Sequence, residues 1–499
     1  MPLTRPRRQA VRTAPLGKRK VTPLGAADRH LVRRFSWGLT PALGDEVRLA
    51  GGSRTWFEAQ LLPSSVTDVL GTALNSWFPA LTMSPLQIFQ AQAAGTDLPW
   101  EVMRDFSRWT VARRVYSRRQ VAEVMVDFWS NLLHVPIYHD EAWYWRWDYD
   151  RVIRLNALTS FEKLLKATIT HPAMGLYLDN ASSTKDAPNE NLGRELLELH
   201  TVGVDGGYTE ADVKASARML TGYRVDVWWP AFRSFYDPTV HDTRPVKVMG
   251  FSHANSNPDG RAATDAYLSY LARHPATARR LARRLCTVFS SEKPSSAHVD
   301  AVAKAYLANG TSIKPTLRAL VSHPGFQSAP LGKVRTPMED YIATLRALGI
   351  AMNRPSNDES FANAMYWHYS GTDNAPYEWH APDGYPITGA AWSSAGRVLT
   401  SFRLHRDLAS RWWPTFDAVF PDPVSMLPVT MPATLQAVVT NIGLNLLGQK
   451  PDAGTCAAVS ALVGIPLSRT VTRADLLSDY WTFRRLLVAL LDSPIHLHR

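Results

Sequence analysis

A mainly α fold, one large helical domain with a small β-hairpin or aromatic flap and long ordered loops, is what the sequence predicts, and three observations predict it. Apolar residues recur at helical spacing over most of the chain, and capping signals punctuate that spacing. The one stretch that breaks it, residues 225–251, is crowded with aromatics between Pro and Asp. With 499 residues, 45% of them hydrophobic and 20% charged, the chain can bury about three quarters of its unfolded surface. Disorder throughout is therefore excluded.

The elements follow in order. Residues 1–27 form a basic tail, expected to be disordered, ahead of a single helical domain over 28–499. Thr40-Pro41 and Ser84-Pro85 place a capping oxygen before a proline at the first helical position. Residues 117–135 read as a buried helix, with Asn131 and His134 three apart near its end, able to face a pocket or to be satisfied in the core. Trp143, Trp145 and Trp147 alternate with Tyr144 and Arg146, which predicts three indoles on one side of an extended strand. Thr159 with Glu162 and Thr209 with Asp212 have capping-box spacing, and Gly203 and Gly222 stand where helices would stop.

Residues 225–251 are the expected flap, with Trp228, Trp229, Phe232, Phe235 and Tyr236. Helices are expected over 263–272, 276–289, 298–307, 313–321 and 337–348. His-Pro recurs at His171, His274 and His323, each after a helix-like run and each read as a helix-ending turn. Residues 355–392, poor in helix signals, predict a long ordered loop. Residues 423–449 carry no charge, but Pro428, Pro432 and Asn441 interrupt them while Leu435, Val438, Val439, Ile442 and Leu446 keep helical spacing. A buried helix is expected there, and no transmembrane span.

The formal charge is +11, from 55 Lys and Arg against 44 Asp and Glu. Residues 1–34 hold ten of the cations and one acid, Asp28, so the chain beyond them is close to neutral and gives no reason to expect specific nucleic-acid binding. Cys286 and Cys456 make neither a metal spacing nor a disulfide framework. Arg33-Arg34-Phe35 lacks the apolar run of an export signal, so a cytoplasmic location is expected.

Polar residues crowd most tightly in residues 179–222. On a helix over 189–201, Leu192, Leu196 and Leu199 fall in one stripe facing the core. Asn191, Glu195 and Glu198 share the flank beside it, with Arg194 just beyond. Two carboxylates three apart on one face can hold a divalent cation or act as acid and base, or can serve only in ion pairs such as Arg194 with Glu198. The candidate catalytic residues are Glu195, Glu198, His241 and Asp242. Lys185, Arg194 and Asn191 are the candidate substrate-binding residues, and Asp179, Glu195 and Glu198 the candidate metal ligands. Oxygen-rich donors of this kind suit Mg, Mn, Ca or Fe. Asp205-Gly206-Gly207-Tyr208 reads as a tight turn with a tyrosine staple.

The run YLDNASSTKDAPNENLGRELLELHTVGVDGGYTEADVKASARMLTGYRVD closely resembles the central signature of the bacterial family known as domain of unknown function 1800. RRFSWGLTPAL, DFWSNLLHV, DRVIRLNAL, HPATARRLARRL, KVRTPMEDYIATLRALG, APDGYP and LLDSPIHLHR support it, so the resemblance spans nearly all of residues 31–499, with its core at about 117–350. It implies a mainly helical bacterial protein. Many relatives are exported and are often encoded beside an alkaline phosphatase/sulfatase-like protein, domain of unknown function 1501. Two readings stand: an enzyme, with an acidic and metal-binding pocket, or a non-enzymatic helical partner for that neighbour, with the tryptophans as anchors. Glycan binding through the same tryptophans is a third.

Overall fold

The computed structural model describes residues 21–96, 98–227, 232–329 and 332–499. Among them 25 α-helices carry the fold, and the strands pair only as four two-stranded antiparallel sheets. The basic tail lies outside the described residues up to position 20, and the first helix runs over Ala26–Arg34.

Local chemistry explains where many helices start. Thr40 and Ser84 accept from the amides of Leu43 and Gln87 at 3.1 and 3.3 Å, each ahead of a proline. Thr209 and Asp212 close a full capping box. At the third site the cap moves by one residue: Ser160, not Thr159, accepts from Lys163, and Glu162 pairs with Lys166 and Arg273 instead. His171, His274 and His323 each begin a helix. Each Nδ1 accepts the amide two residues on, from Ala173, Ala276 and Gly325, at 3.2, 3.2 and 3.0 Å. His274 and His323 close the preceding helix at the same residue, so one imidazole marks each corner of the chain.

Three expectations change. Trp143, Trp145 and Trp147 lie on a helix, Trp143–Asn156, not a strand, and all three pack partly buried against the core. Inside the expected long loop a helix forms over Phe361–Tyr369, because Phe361, Met365 and Tyr369 recur every fourth residue and bury one face. The flap is two hairpins, Tyr223–Asp226 with Arg233–Tyr236 and Val246–Val248 with Phe251–His253. Trp228 and Trp229 lie outside the described residues. Phe232 fastens the first hairpin to the body, stacked on Phe89 at 4.6 Å and on Trp145 at 6.0 Å.

The Pro337–Leu348 helix sits at the centre, packed against the Pro99–Tyr116, Phe361–Tyr369, Ala395–Ala409 and Leu435–Leu447 helices. Nearly every residue on it is buried. A helix enclosed on all sides that still carries Glu339 and Asp340 has to supply each carboxylate with partners. Glu339 takes the Thr336 amide at 2.9 Å in a capping box and the Arg499 guanidinium at 2.8 Å. Cys286 and Cys456 are free and buried. Among the described residues no helix is long and apolar enough to cross a membrane.

Candidate functional site

The signature helix departs from a uniform spiral. Glu190–Glu195 is α-helical, and Leu196–His200 widens into a π turn. The extra residue in the turn shifts the helical phase, so Leu197 is buried with Leu192 and Leu196, while Leu199 moves to the margin. Gly193 lets the Glu210–Met219 helix cross closely, since a Cβ there would lie 2.7 Å from the Ala217 amide nitrogen.

The polar side chains of this segment fall into three separate groups. In the first, Glu198 accepts from the Tyr208 hydroxyl at 2.6 Å and lies 3.8 Å from Arg194. Arg194 spends its fork on Glu210, at 2.8 and 2.7 Å, and reaches Glu190 at 3.4 Å. In the second, Asn191 donates to Asp179 at 3.2 Å, beside an exposed loop that carries Lys185. In the third, His241 and Asp242 are buried, with their polar atoms engaged. The His241 ring faces the Thr221 carbonyl at 2.9 Å and the Asn255 amide oxygen at 3.2 Å. Asp242 holds the Arg244 guanidinium through both oxygens and Arg218 at 3.4 Å. Burial alone would raise the Asp242 pKa, but these bonds outweigh it and hold the carboxyl below its ordinary value.

Glu195 behaves differently. Burial, then the nearby charge of Glu198, raises its pKa, Arg194 opposes this, and Asp383 adds to the rise. Its environment is thus shared with a distant stretch, the Ala381–Pro386 turn. Asp179, Glu195 and Glu198 are not brought together as a ligand set. Among the described residues the one group of three such donors within 4.8 Å of one another is Asp340, His405 and His496.

Tyr385, from the turn that carries Asp383, closes over a narrow recess of about 20 Å³ lined also by Arg114, Asp127, Ser130, Asn131 and His134. A second recess of about 30 Å³ adjoins it through Asp127, Asn131, Thr336 and Tyr385, and adds Arg284, Lys333, Glu339 and Arg499. Gly384 makes the roof possible. Its φ is +70°, and a Cβ there would lie 2.2 Å from both the carbonyl and the side-chain oxygen of Asn131. Asn131 donates to the Tyr385 carbonyl at 3.0 Å, and His134 meets the Trp379 carbonyl at 2.6 Å. Burial pushes the His134 pKa down to about 4, so the ring is neutral.

The charges lining the recess are unequally matched. Asp127 is taken by Arg114 at 2.6 Å and by the Tyr385 hydroxyl at 2.5 Å, and Glu339 by Arg499. Arg284 keeps Nε and Nη2 out of solvent without a hydrogen-bond partner, and burial lowers its pKa. The Asn131 side-chain oxygen is likewise unpartnered. Lys333 donates to the Ile387 carbonyl at 3.0 Å and the Thr287 carbonyl at 3.3 Å. Burial, with the positive charge of Arg499, drives its pKa down to about 7. Of these residues, sequence reasoning singled out only Asn131 and His134. The signal for the others was available: DFWSNLLHV, HPATARRLARRL, KVRTPMED, APDGYP and LLDSPIHLHR, which carry the resemblance, each contribute a wall.

Among curated proteins and solved structures, nothing matches this chain. One family model does, described as "Protein of unknown function (DUF1800)", over residues 30–497. A match over nearly the whole chain, from the first helix to the last, places this protein in the DUF1800 family.

Proposed function

We propose that this protein is an enzyme that takes a small anionic substrate into the second recess, the one lined by Arg284, Lys333 and Tyr385. One observation carries the reading: the buried, unpartnered edge of Arg284 lines the same recess as Lys333. Guanidinium N–H groups held out of solvent without an acceptor cost free energy that a carboxylate or phosphate group would recover through charge-assisted hydrogen bonds. Lys333, held near neutrality, is suited to accept or return a proton at physiological pH. On the signature side of the Ala381–Pro386 turn, Glu195 beside Asp383 supplies a carboxyl with a raised pKa as the partner acid.

The test is binding of inorganic phosphate, sulfate and malonate by thermal shift and calorimetry, in the native chain and in Arg284→Gln. A ligand at 100 times its Kd stabilises the native state by about 2.7 kcal/mol. A saturable rise in Tm that Arg284→Gln abolishes supports the reading, and an identical anion response in both proteins removes it.

A second reading is a docking protein for an alkaline phosphatase/sulfatase-like partner. It draws on a different surface from the one the sequence suggested. Trp412 is 73% exposed and Trp367 56%, with Trp413, Phe416 and Trp481 also in solvent, and large exposed aromatics are common interface anchors. Co-purification with that partner, lost in Trp412→Ser but retained in Arg284→Gln, would favour it.

A further inference from the structure

Asp340, the second carboxylate of the enclosed central helix, meets residues from two other elements. His405 comes from the Ala395–Ala409 helix and His496 from the closing Pro494–Leu497 turn. Their Nε2 atoms lie 3.2 and 3.4 Å from the same oxygen, Asp340 Oδ1. All three side chains are buried. A metal with bonds of about 2.1 Å sets neighbouring tetrahedral donors roughly 3.4 Å apart, so these contacts have the length of the edges of a coordination polyhedron.

The surrounding bonds have the matching pattern. His405 Nδ1 faces Asp492 at 2.7 Å, which leaves Nε2 as the ligand nitrogen when Nδ1–H donates to that carboxylate. The other oxygen of Asp340 accepts from Ser401 at 2.6 Å and is 3.5 Å from Arg397, so Oδ1 is the one turned to the histidines. The Thr344 hydroxyl, 2.9 Å from His496 Nε2, stands beside the group as a further oxygen donor.

We propose that Asp340, His405 and His496 form a buried site for a first-row divalent transition metal, zinc above all, that fastens the end of the chain to the central helix. Two imidazoles and one carboxylate are borderline donors, which favour zinc, cobalt or iron over magnesium or calcium. Arg499, which pairs with Glu339 and lines the second recess, lies three residues beyond His496. The metal therefore also sets one wall of the proposed substrate recess, although the site stands on its own geometry and does not depend on the enzymatic reading.

The experiment is metal analysis of the full chain, purified without chelator from cells supplied with zinc, iron and manganese, followed by reconstitution of stripped protein with cobalt. The expected results are about one equivalent of metal, visible cobalt absorption bands typical of a low-coordinate nitrogen and oxygen site, and a Tm that falls on chelation. His496→Asn should cut metal content at least ten-fold, Asp492→Asn should weaken affinity by about 10- to 100-fold, and Glu195→Gln should leave it unchanged. The native chain provides the decisive arm even if His496→Asn fails to fold. Less than a tenth of an equivalent of metal, no cobalt bands and a Tm indifferent to zinc and chelator would overturn the proposal. The group would then be an imidazolium of His405 bridging Asp340 and Asp492.

Discussion

Replacing Lys333 with methionine (Lys333→Met) removes a buried amine while keeping an unbranched chain of similar length, and it isolates one proton. In the folded protein the amine titrates at about 7, against an ordinary value of 10.5. Between those two values the unfolded chain holds a proton on Lys333 that the folded chain has released, so stability must rise with pH across that window. Below pH 7 both states are protonated and the full cost of burying the charge is present; above 10.5 neither state is protonated and the cost is gone. The slope from this single group is about 1.4 kcal/mol per pH unit, and the whole window is worth about 5 kcal/mol. Other groups titrate in the same range, but they do so in both proteins. The carbonyls of Thr287 and Ile387 lose a donor in the variant at every pH, which shifts its curve without tilting it. Urea unfolding of both proteins at pH 7, 8, 9 and 10 therefore reads Lys333 as a difference of slopes. A native-minus-variant difference that is flat to within about 0.3 kcal/mol per pH unit would show that the amine is not desolvated as its surroundings require.

Other expectations follow from single contacts. Gly384→Ala places a methyl group against two Asn131 oxygens at a left-handed backbone position, and should cost roughly 2–5 kcal/mol from strain and displacement together. Hydrogen exchange should then speed up in the Ala381–Tyr385 turn before it does elsewhere. Glu123 lies between Arg113 at 2.7 Å and Arg154 at 2.8 Å, and although burial opposes ionisation the two arginines hold its pKa down to about 2. Its contribution is complete above the ordinary carboxylate range and fades as pH falls towards 2. Glu123→Gln should cost about 3–5 kcal/mol at neutral pH, with a loss that shrinks in acid, as chemical denaturation would show. Phe232→Ala removes the aromatic anchor of the first hairpin and should cost about 3–5 kcal/mol. Amides of Tyr223–Asp226 and Arg233–Tyr236 should lose protection while the helical core keeps it.

What the sequence disclosed and what it hid divide along the range of the interactions. Thr209 with Asp212 was legible because a capping box is closed within four residues, and Ser84 was legible as a cap because Pro85 follows it. The His-Pro pairs were half legible. Proline marks the break, but the role of the imidazole as the cap of the next helix depends on its rotamer. The leucine stripe failed at its last position because a uniform wheel of 3.6 residues per turn has no place for the π turn, and Leu197 rather than Leu199 faces inward. The alternating tryptophans look extended only when read by twos. Trp143 and Trp147 are also four apart, and that spacing is the one the helix uses. The pairing of Arg194 with Glu198 could be read four residues apart, whereas its tighter hold on Glu210 spans sixteen and could not.

The recess lay furthest from view for the same reason. Arg284 on its own helix reads as one of several arginines on an amphipathic surface, and only the folded chain reveals that Asn131, Lys333 and Tyr385 close over it. Five of the stretches that carry the family resemblance meet there although they are scattered from residue 127 to residue 499. Packing alone explains apolar residues that recur across such distances, since one core must be filled by all of them. It does not explain a half-buried arginine whose inner edge has no acceptor, an amide oxygen with no donor and a lysine near neutrality in adjoining recesses. Each raises the energy of the folded chain, and a cluster of such costs is what a ligand of opposite charge would offset. The Glu195 carboxyl fits the same logic from the other side of the turn, because its raised pKa also comes from burial and from like charge. Glu195 therefore differs from Glu198, which is drawn to Tyr208, in feeling the charge of Asp383 across the turn.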